Sequence, residues 1–324
     1  MASGQDKTVL TLFALLSRVK KIRKREGNIM TEGMRMESDS IGTMEVPKEA
    51  YYGVQALRAK QNFPITGQSL HPVFIRNLAK VKKAAAQSNR NALALPADKA
   101  EAIIRACDEV IRGCFADEFI VDAIQGGAGT SANMNMNEVL ANRANEWMGG
   151  RKGDYSRIHP NDHVNMSQST NDVIPTAGKL TVLELLKPLL AELDGLQREL
   201  RIKAAEFDGI LKMGRTQLQD AVPMRLGQTF HAYATMVKRD YERLKEVRCE
   251  MFTVNLGGTA IGTAINVSPA YLSNVVPTLA KITGYPLKQA EDLFDATENL
   301  DGFVMVSGAL KLSLIHISEP TRLQ

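Results

Sequence analysis

Between Val182 and Ile210, leucine recurs at Leu183, Leu186, Leu189, Leu190, Leu193, Leu196 and Leu200. Steps of three and four place these side chains on one face of a helix, and a near-heptad stripe of this length is the pattern of a bundle helix. Pro188 falls inside the stripe and is expected to kink the helix or mark its effective start. A second stripe, from Pro223 to Phe252, comprises Leu226, Phe230, Tyr233, Val237, Tyr241, Leu244, Val247 and Met251, with Pro223 suited to a first helical turn. A third helix is expected over Pro269–Thr283, ended by Gly284. Helical spacing also covers Val73 to Leu95 and Asp98 to Gly113, where Asp98 and Glu101 have the spacing of a capping box. Only Ile41 to Tyr52, broken by Gly42 and Pro47, reads as short extended pieces or turns. Strands and helices do not alternate, so a doubly wound sheet is excluded and an all-α fold is expected.

The chain of 324 residues is 44% hydrophobic and 6% aromatic, which excludes collagen, a disulfide-stapled miniprotein and disorder throughout. Its net charge of +4 suggests a basic protein, but the excess is local. Residues 1–33 carry seven basic and three acidic side chains, which accounts for the whole of it. No nucleic-acid-binding face is expected for the main body. Residues 1–33 read as a dispensable basic extension or an early start ahead of Met30 or Met34, with a membrane- or RNA-touching amphipathic helix as the alternative. Cys107, Cys114 and Cys249 form no metal-binding spacing and read as buried free thiols in a reducing compartment. No apolar run reaches the ~18–20 residues of a membrane span. In the Val9–Leu16 run the charges follow the apolar residues, the wrong order for a secretory signal, so a cytoplasmic protein is expected.

Four polar, glycine-rich clusters interrupt the helical pattern: Gln125–Asn137 (QGGAGTSANMNMN), His159–Pro175 (HPNDHVNMSQSTNDVIP), Lys212–Gln228 (KMGRTQLQDAVPMRLGQ) and Asn255–Asn266 (NLGGTAIGTAIN). In the first, Gly126, Gly127 and Gly129 free the backbone beside Thr130 and Ser131, yet the cluster matches no phosphate-loop spacing. The second gathers small uncharged donors, with His163 as a general base, a ligand or a structural hydrogen-bonder, and Asp172 as a candidate N-cap. The third sets Arg215, Thr216, Gln217 and Gln219 before a Pro-started helix. That would make an anion site, unless Asp220 simply caps the helix. The fourth reads as a close-packed turn between helices.

Taken together, these clusters closely resemble the aspartase/fumarase superfamily, over the stretch from Met36 (MESDSIGTMEVPKEAYYGVQALRAKQNF) to Lys311 (VMVSGALK). Gln217 occupies a position where fumarases carry histidine, which places the resemblance on the ammonia-lyase branch. The resemblance implies an all-α fold, with a helical N-terminal lyase domain over 34–170 and the first part of a central helical bundle over 171–311. It implies elimination of ammonia from L-aspartate to give fumarate, by proton abstraction next to the β-carboxylate. The doubly charged carboxylate so formed would be stabilised by preorganised donors. Position by position, it implies that Thr130, Ser169 and Thr170 bind the β-carboxylate and Asn171 lies near the amino group. Thr216 and Gln217 would reach the substrate of a neighbouring subunit in a homotetramer, and Ser131, Asn133, His163 and Arg215 would support. No cofactor, metal or membrane is implied. Fumarase or another superfamily lyase, and a non-catalytic scaffold on a lyase fold, remain the alternatives.

The family's base serine sits in a GSSxMPxKxN loop, a signature absent from the 324 residues. The expectation is therefore a C-terminally truncated, inactive chain lacking the last domain. Residues 312–324 (LSLIHISEPTRLQ) resemble translated sequencing adapter rather than the family, and are expected to be non-native. Resequencing the locus with independent primers tests that.

Overall fold

The structure is a computed structural model that describes residues 33–318. The expectations for the basic extension, the Val9–Leu16 run and the last six residues fall outside the described residues. Among the described residues helices dominate, as the sequence pattern predicts, with three two-stranded ladders.

An antiparallel pair, β1 (Met34–Ser38) and β2 (Thr43–Pro47), opens the described chain. The Arg35 guanidinium holds the segment after β2 by donating to the carbonyls of Pro47, Lys48, Ala50 and Tyr52 at 2.7–3.0 Å. Helices α1 (Val54–Asn62), α2 (Pro72–Asn91), α3 (Ala97–Ile111) and α4 (Thr130–Trp147) follow. The α1 N-terminus is capped from a distance: Glu138 on α4 accepts the N–H groups of Gly53, Gln55 and Ala56 at 2.8–3.0 Å.

Helix α4 is buried on nearly every face, and its Asn135, Asn142 and Asn145 satisfy neighbouring backbone. Asn135 accepts from Ile120 N and donates to Glu118 O, and Asn145 does the same for the N–H and carbonyl of Ile158. One amide side chain thus replaces a donor and an acceptor that a buried loop would otherwise leave unmet. The first polar cluster is therefore a loop only as far as Gly129 and a helix from Thr130 onward.

The bundle is formed by α5 (Thr170–Glu206), α6 (Leu226–Val247) and, later, α9 (Asp301–Ser318). α5 packs against α6 and α2, and α9 against α6. α5 starts well before Val182 and, at 37 residues, extends about 55 Å at 1.5 Å per residue. Pro188 is interior to it and does not mark its start. Leu183, Leu186, Leu190 and Leu193 are buried, whereas Leu196 is exposed, as are Leu185 and Ile202 on the same helix and Val304 and Met305 on α9.

The second expected helix begins at Leu226 rather than Pro223. β3 (Leu211–Thr216) and β4 (Gln219–Arg225) pair antiparallel, with Pro223 opposite Met213. Gln217 and Leu218 make the two-residue turn, both at positive φ (50° and 64°), the twist a tight hairpin requires. Pro223 also holds Val222 extended, which favours strand over helix. Asp220 accordingly caps nothing and pairs with Arg215 across the hairpin at 3.0 Å.

Three further corrections concern local chemistry. Helix α3 starts one residue earlier than Asp98, so Pro96 is the N-cap, without a side-chain bond, and Glu101 pairs with Arg90 at 3.6 Å. Asp172 is not an N-cap but the third residue of α5, after the Ser169 N-cap. Of the three thiols only Cys107 is buried; Cys114 and Cys249 are exposed. The expected helix over Pro269–Thr283 is present as α7, packed on α2 and closed by Gly284 at φ 71°. A short parallel pair, β5 (Thr253–Val254) and β6 (Lys288–Gln289), and the helix α8 (Leu293–Glu298) complete the order.

Helix α9 runs on into the adapter-like residues as far as Ser318, and His316 lies 2.7 Å from the buried Asp240 of α6. Among the described residues, no helix is long and apolar enough to cross a membrane.

Candidate active site

The N-terminus of α5 is where the polar clusters meet. Ser169 caps it by accepting Asn171 N at 3.3 Å, and Asp172 closes the capping box by accepting Ser169 N at 2.9 Å. The other oxygen of Asp172 accepts from Gly257 N at 3.0 Å and Thr259 N at 3.1 Å, which draws the fourth cluster over the helix start. Asn171 completes the clasp: its side chain donates to Ala260 O at 2.7 Å, and its carbonyl accepts from Asn255 at 3.0 Å. The fourth cluster is thus a close-packed turn, as its glycines suggest, whose backbone amides serve Asp172.

The first cluster arrives from the other side. Gly129, at φ 100°, lies against Ile174: a Cβ there would meet the Ile174 side chain at 3.0 Å. This contact seats the start of α4 beside the start of α5. Asn133, one turn into α4, donates to Thr170 Oγ1 at 3.2 Å. Thr130 is exposed next to this junction, its hydroxyl donating to Gly127 O at 2.8 Å. Ser131 is half-buried and lines a neighbouring recess with Asp39, Arg58, His159 and Asn161.

Beneath the surface donors lies a layer that sequence reading missed. Lys82 is fully buried and donates to Asn165 Oδ1 at 2.8 Å. That oxygen also accepts from Asn133 and Asn137, each at 3.2 Å. Burial pulls the Lys82 ammonium down to about 7, opposed by the nearby carboxylate of Asp172. Burial likewise pushes Asp172 up to about 6 against its three backbone hydrogen bonds. A sequence signal for Lys82 existed: it falls four residues after Leu78 and three before Ala85, on the apolar face of α2. For Asn165 no such signal was available, because its role depends on three other elements converging on it.

His163 behaves as a structural hydrogen-bonder. Its Nδ1 accepts His159 N at 2.8 Å and its Nε2 lies 2.8 Å from Lys99 Nζ. Partial burial, then Lys99, hold its pKa below the usual histidine range, consistent with a neutral ring. It shares no hydrogen bond with the donors at α5.

The third cluster stands apart. Thr216, Gln217 and Arg215 are exposed on the β3–β4 hairpin and make no hydrogen bond to the α4–α5 junction. The helix-terminus anion site expected there does not form, because the segment is strand. A cleft of about 660 Å³ between the hairpin and α6, lined by Arg215, His231 and Arg239 among others, contains none of the donors at the α4–α5 junction. Among the described residues, no group of three or more His, Cys, Asp and Glu side chains is placed to hold a metal ion.

The junction therefore presents uncharged hydroxyl and amide groups at a helix N-terminus, above a buried ammonium. Such an arrangement favours an anion, through the helix dipole and directed donors rather than a surface counter-charge.

Comparisons with known proteins place the chain in a family. Residues 42–321 match the model of the family described as Lyase. The chain is 52% identical over 290 residues to an aspartate ammonia-lyase of Bacillus sp, covering 90% of this chain and 62% of that relative. It is 54% identical over 288 residues to an aspartate ammonia-lyase of Pseudomonas aeruginosa, covering 88% and 61%. Among solved structures it resembles a fumarate lyase:delta crystallin from Brucella melitensis bound to cobalt, with a TM-score of 0.87 and 47% identity over 90% of this chain and 64% of that one. It also resembles a class II fumarase from Schistosoma mansoni, with a TM-score of 0.84 and 33% identity over 89% and 64%. The chain spans roughly three-fifths of the length of the curated relatives it matches.

Proposed function

Because the chain belongs to the lyase family, we propose that it carries the substrate-carboxylate half of an enzyme that eliminates ammonia from L-aspartate to give fumarate. The observation that carries this reading is the α4–α5 junction, where Ser169, Thr170 and Asn171 open a helix that Asp172 locks to Gly257 and Thr259. The barrier to the reaction is the weak acidity of the C–H beside the β-carboxylate. Removing that proton leaves a carboxylate with two negative charges. Donors already fixed toward its oxygens stabilise it without reorganising at the moment of reaction.

In this reading Thr130, Ser169 and Thr170 hold the β-carboxylate and Asn171 lies by the departing amino group. Ser169 Oγ accepts within the cap and Thr170 Oγ1 accepts from Asn133, so each hydroxyl retains its own proton to donate. Thr130 exchanges its present bond to Gly127 O for one to the substrate. Ser131, Asn133 and His163 support this frame. Thr216, Gln217 and Arg215, remote on their hairpin, serve the site of another subunit in a homotetramer. The exposed leucine and methionine side chains of α5 and α9 are the surface such an assembly would cover. The base and the α-carboxylate ligands belong to a GSSxMPxKxN loop, a signature absent from these 324 residues, and the elimination itself requires no cofactor. We propose a cytoplasmic enzyme. Replacing Thr170 with valine in the full-length enzyme tests the site: kcat/KM for aspartate falls at least tenfold, and an unchanged value contradicts the assignment.

A further inference from the structure

We propose that Lys82 is a positioning residue: acting through Asn165 and Asn133, it fixes the Thr170 hydroxyl as a donor directed at the carboxylate the site binds. This rests on Thr170 being a substrate-carboxylate ligand, as proposed above.

The argument follows hydrogen-bond polarity from one group to the next. An ammonium donates and never accepts. Lys82 Nζ, 2.8 Å from the Asn165 side chain, therefore requires that the oxygen of that amide face it. With Asn165 Oδ1 so placed, the groups 3.2 Å from it on Asn133 and Asn137 must be their NH2 groups. The Asn133 NH2 then offers its second proton to Thr170 Oγ1 at 3.2 Å. Thr170 is thereby an acceptor toward the interior, and its own O–H has no acceptor among the described residues. Within this frame the proton has one use, donation to an incoming oxygen.

This polarity is maintained against local preference. Asn133 Oδ1 and Asn137 Oδ1 are both buried and have no hydrogen-bond partner. Leaving a buried acceptor unmet is costly. Turning the Asn133 amide over would satisfy its oxygen with the Thr170 proton. It would also set that oxygen against Asn165 Oδ1, and it would remove Thr170 as a donor. The Lys82 N–H that holds Asn165 Oδ1 in place opposes the turn. Lys82 and Asn137 are wholly inaccessible and Asn133 is nearly so, which strengthens each bond and polarises the chain toward Thr170. The charges facing Lys82 from neighbouring elements are Asp172 on α5 and, were it ionised, Cys107 on α3.

The test compares two replacements of the same size at neighbouring links, in the full-length enzyme with aspartate as substrate. Asn165→Asp keeps the acceptor that Lys82 and Asn133 require but loses the amide donor that reaches Gln168 O at 3.4 Å, so it should lower kcat/KM by less than Asn133→Asp does. Asn133→Asp presents an acceptor to Thr170, captures its proton, and should lower kcat/KM at least tenfold and weaken competitive inhibition by fumarate to match. Lys82→Met should resemble Asn133→Asp. Should it fail to fold, the two asparagine variants decide the matter alone. Equal losses at both asparagines, or a greater loss at Asn165, would overturn the proposal while leaving the Thr170 assignment intact. A folded wild-type enzyme with no turnover of aspartate would overturn the Thr170 reading itself.

Discussion

Asp172 Oδ2 accepts the backbone N–H of Gly257 at 3.0 Å, joining the first turn of α5 to a loop 85 residues further along the chain. The same carboxylate closes the capping box on Ser169, so one buried acid fixes both the donors at the helix start and the loop that covers them.

Replacing Asp172 with asparagine should therefore destabilise the chain by about 1–3 kcal/mol, the cost of leaving buried N–H groups without an acceptor. The effect has a pH signature. Burial raises the Asp172 pKa to about 6, above the usual carboxylate range near 4, so across that interval folding takes up a proton. The contribution of Asp172 to stability is complete below about pH 4 and declines toward about pH 6. Urea titrations of both proteins across this range should show the stability gap narrowing as pH rises. A widening gap would contradict the burial argument.

Gly227, in the first turn of α6, faces the end of α5. A Cβ at this position would lie 2.3 Å from Ala204 O and 2.7 Å from Asp208 Cα, both backbone atoms that have little freedom to retreat. Gly227→Ala should cost about 1–3 kcal/mol as an overpacked contact, despite the better helix propensity of alanine. Thermal denaturation showing a variant as stable as the parent would mean that the two helices separate more easily than their packing suggests.

The turn at Gln217 and Leu218 offers the opposite case. Leu218 sits at φ 64° and is 92% exposed, so its side chain contributes strain and no burial. Leu218→Gly should raise stability by about 0.5–1 kcal/mol, because glycine occupies left-handed backbone without penalty. A loss of stability would show that Leu218 makes contacts in solution that the isolated chain lacks.

Much of this architecture is visible in the sequence, for stated physical reasons. The leucine stripe of α5 survives as Leu183, Leu186, Leu190 and Leu193 in the core, because period-three-and-four burial is a local property of the chain. Gly284 ends α7 because it alone among its neighbours takes the left-handed conformation cheaply. The β3–β4 hairpin was not legible: Thr216, Gln219 and Pro223 satisfy a helix-start pattern as well as a strand pattern, and pairing across the turn decides between them. Nor was the layer under the site legible as a unit, although Lys82 on the apolar face of α2 carried a signal. Ser169, Thr170 and Asn171 draw attention as small donors. Lys82 and Asn165 matter only because α2, α4 and the loop before α5 converge on one oxygen. Leu196 belongs to the same stripe and is nevertheless exposed, because spacing alone does not say how wide a face the neighbouring helices cover.

On the proposed reading the 324-residue chain by itself should show no turnover of aspartate, since the GSSxMPxKxN signature that would carry the base is absent from it. Fumarate formation at a rate close to that of the full-length enzyme would show that another residue of these 324 takes the proton.

The central claim is tested most directly by following fumarate absorbance and ammonia release together when the full-length enzyme is given L-aspartate, with L-malate as the alternative substrate. The account predicts fumarate and ammonia in equal amounts from aspartate, and no fumarate from malate. Fumarate from malate with none from aspartate would contradict it.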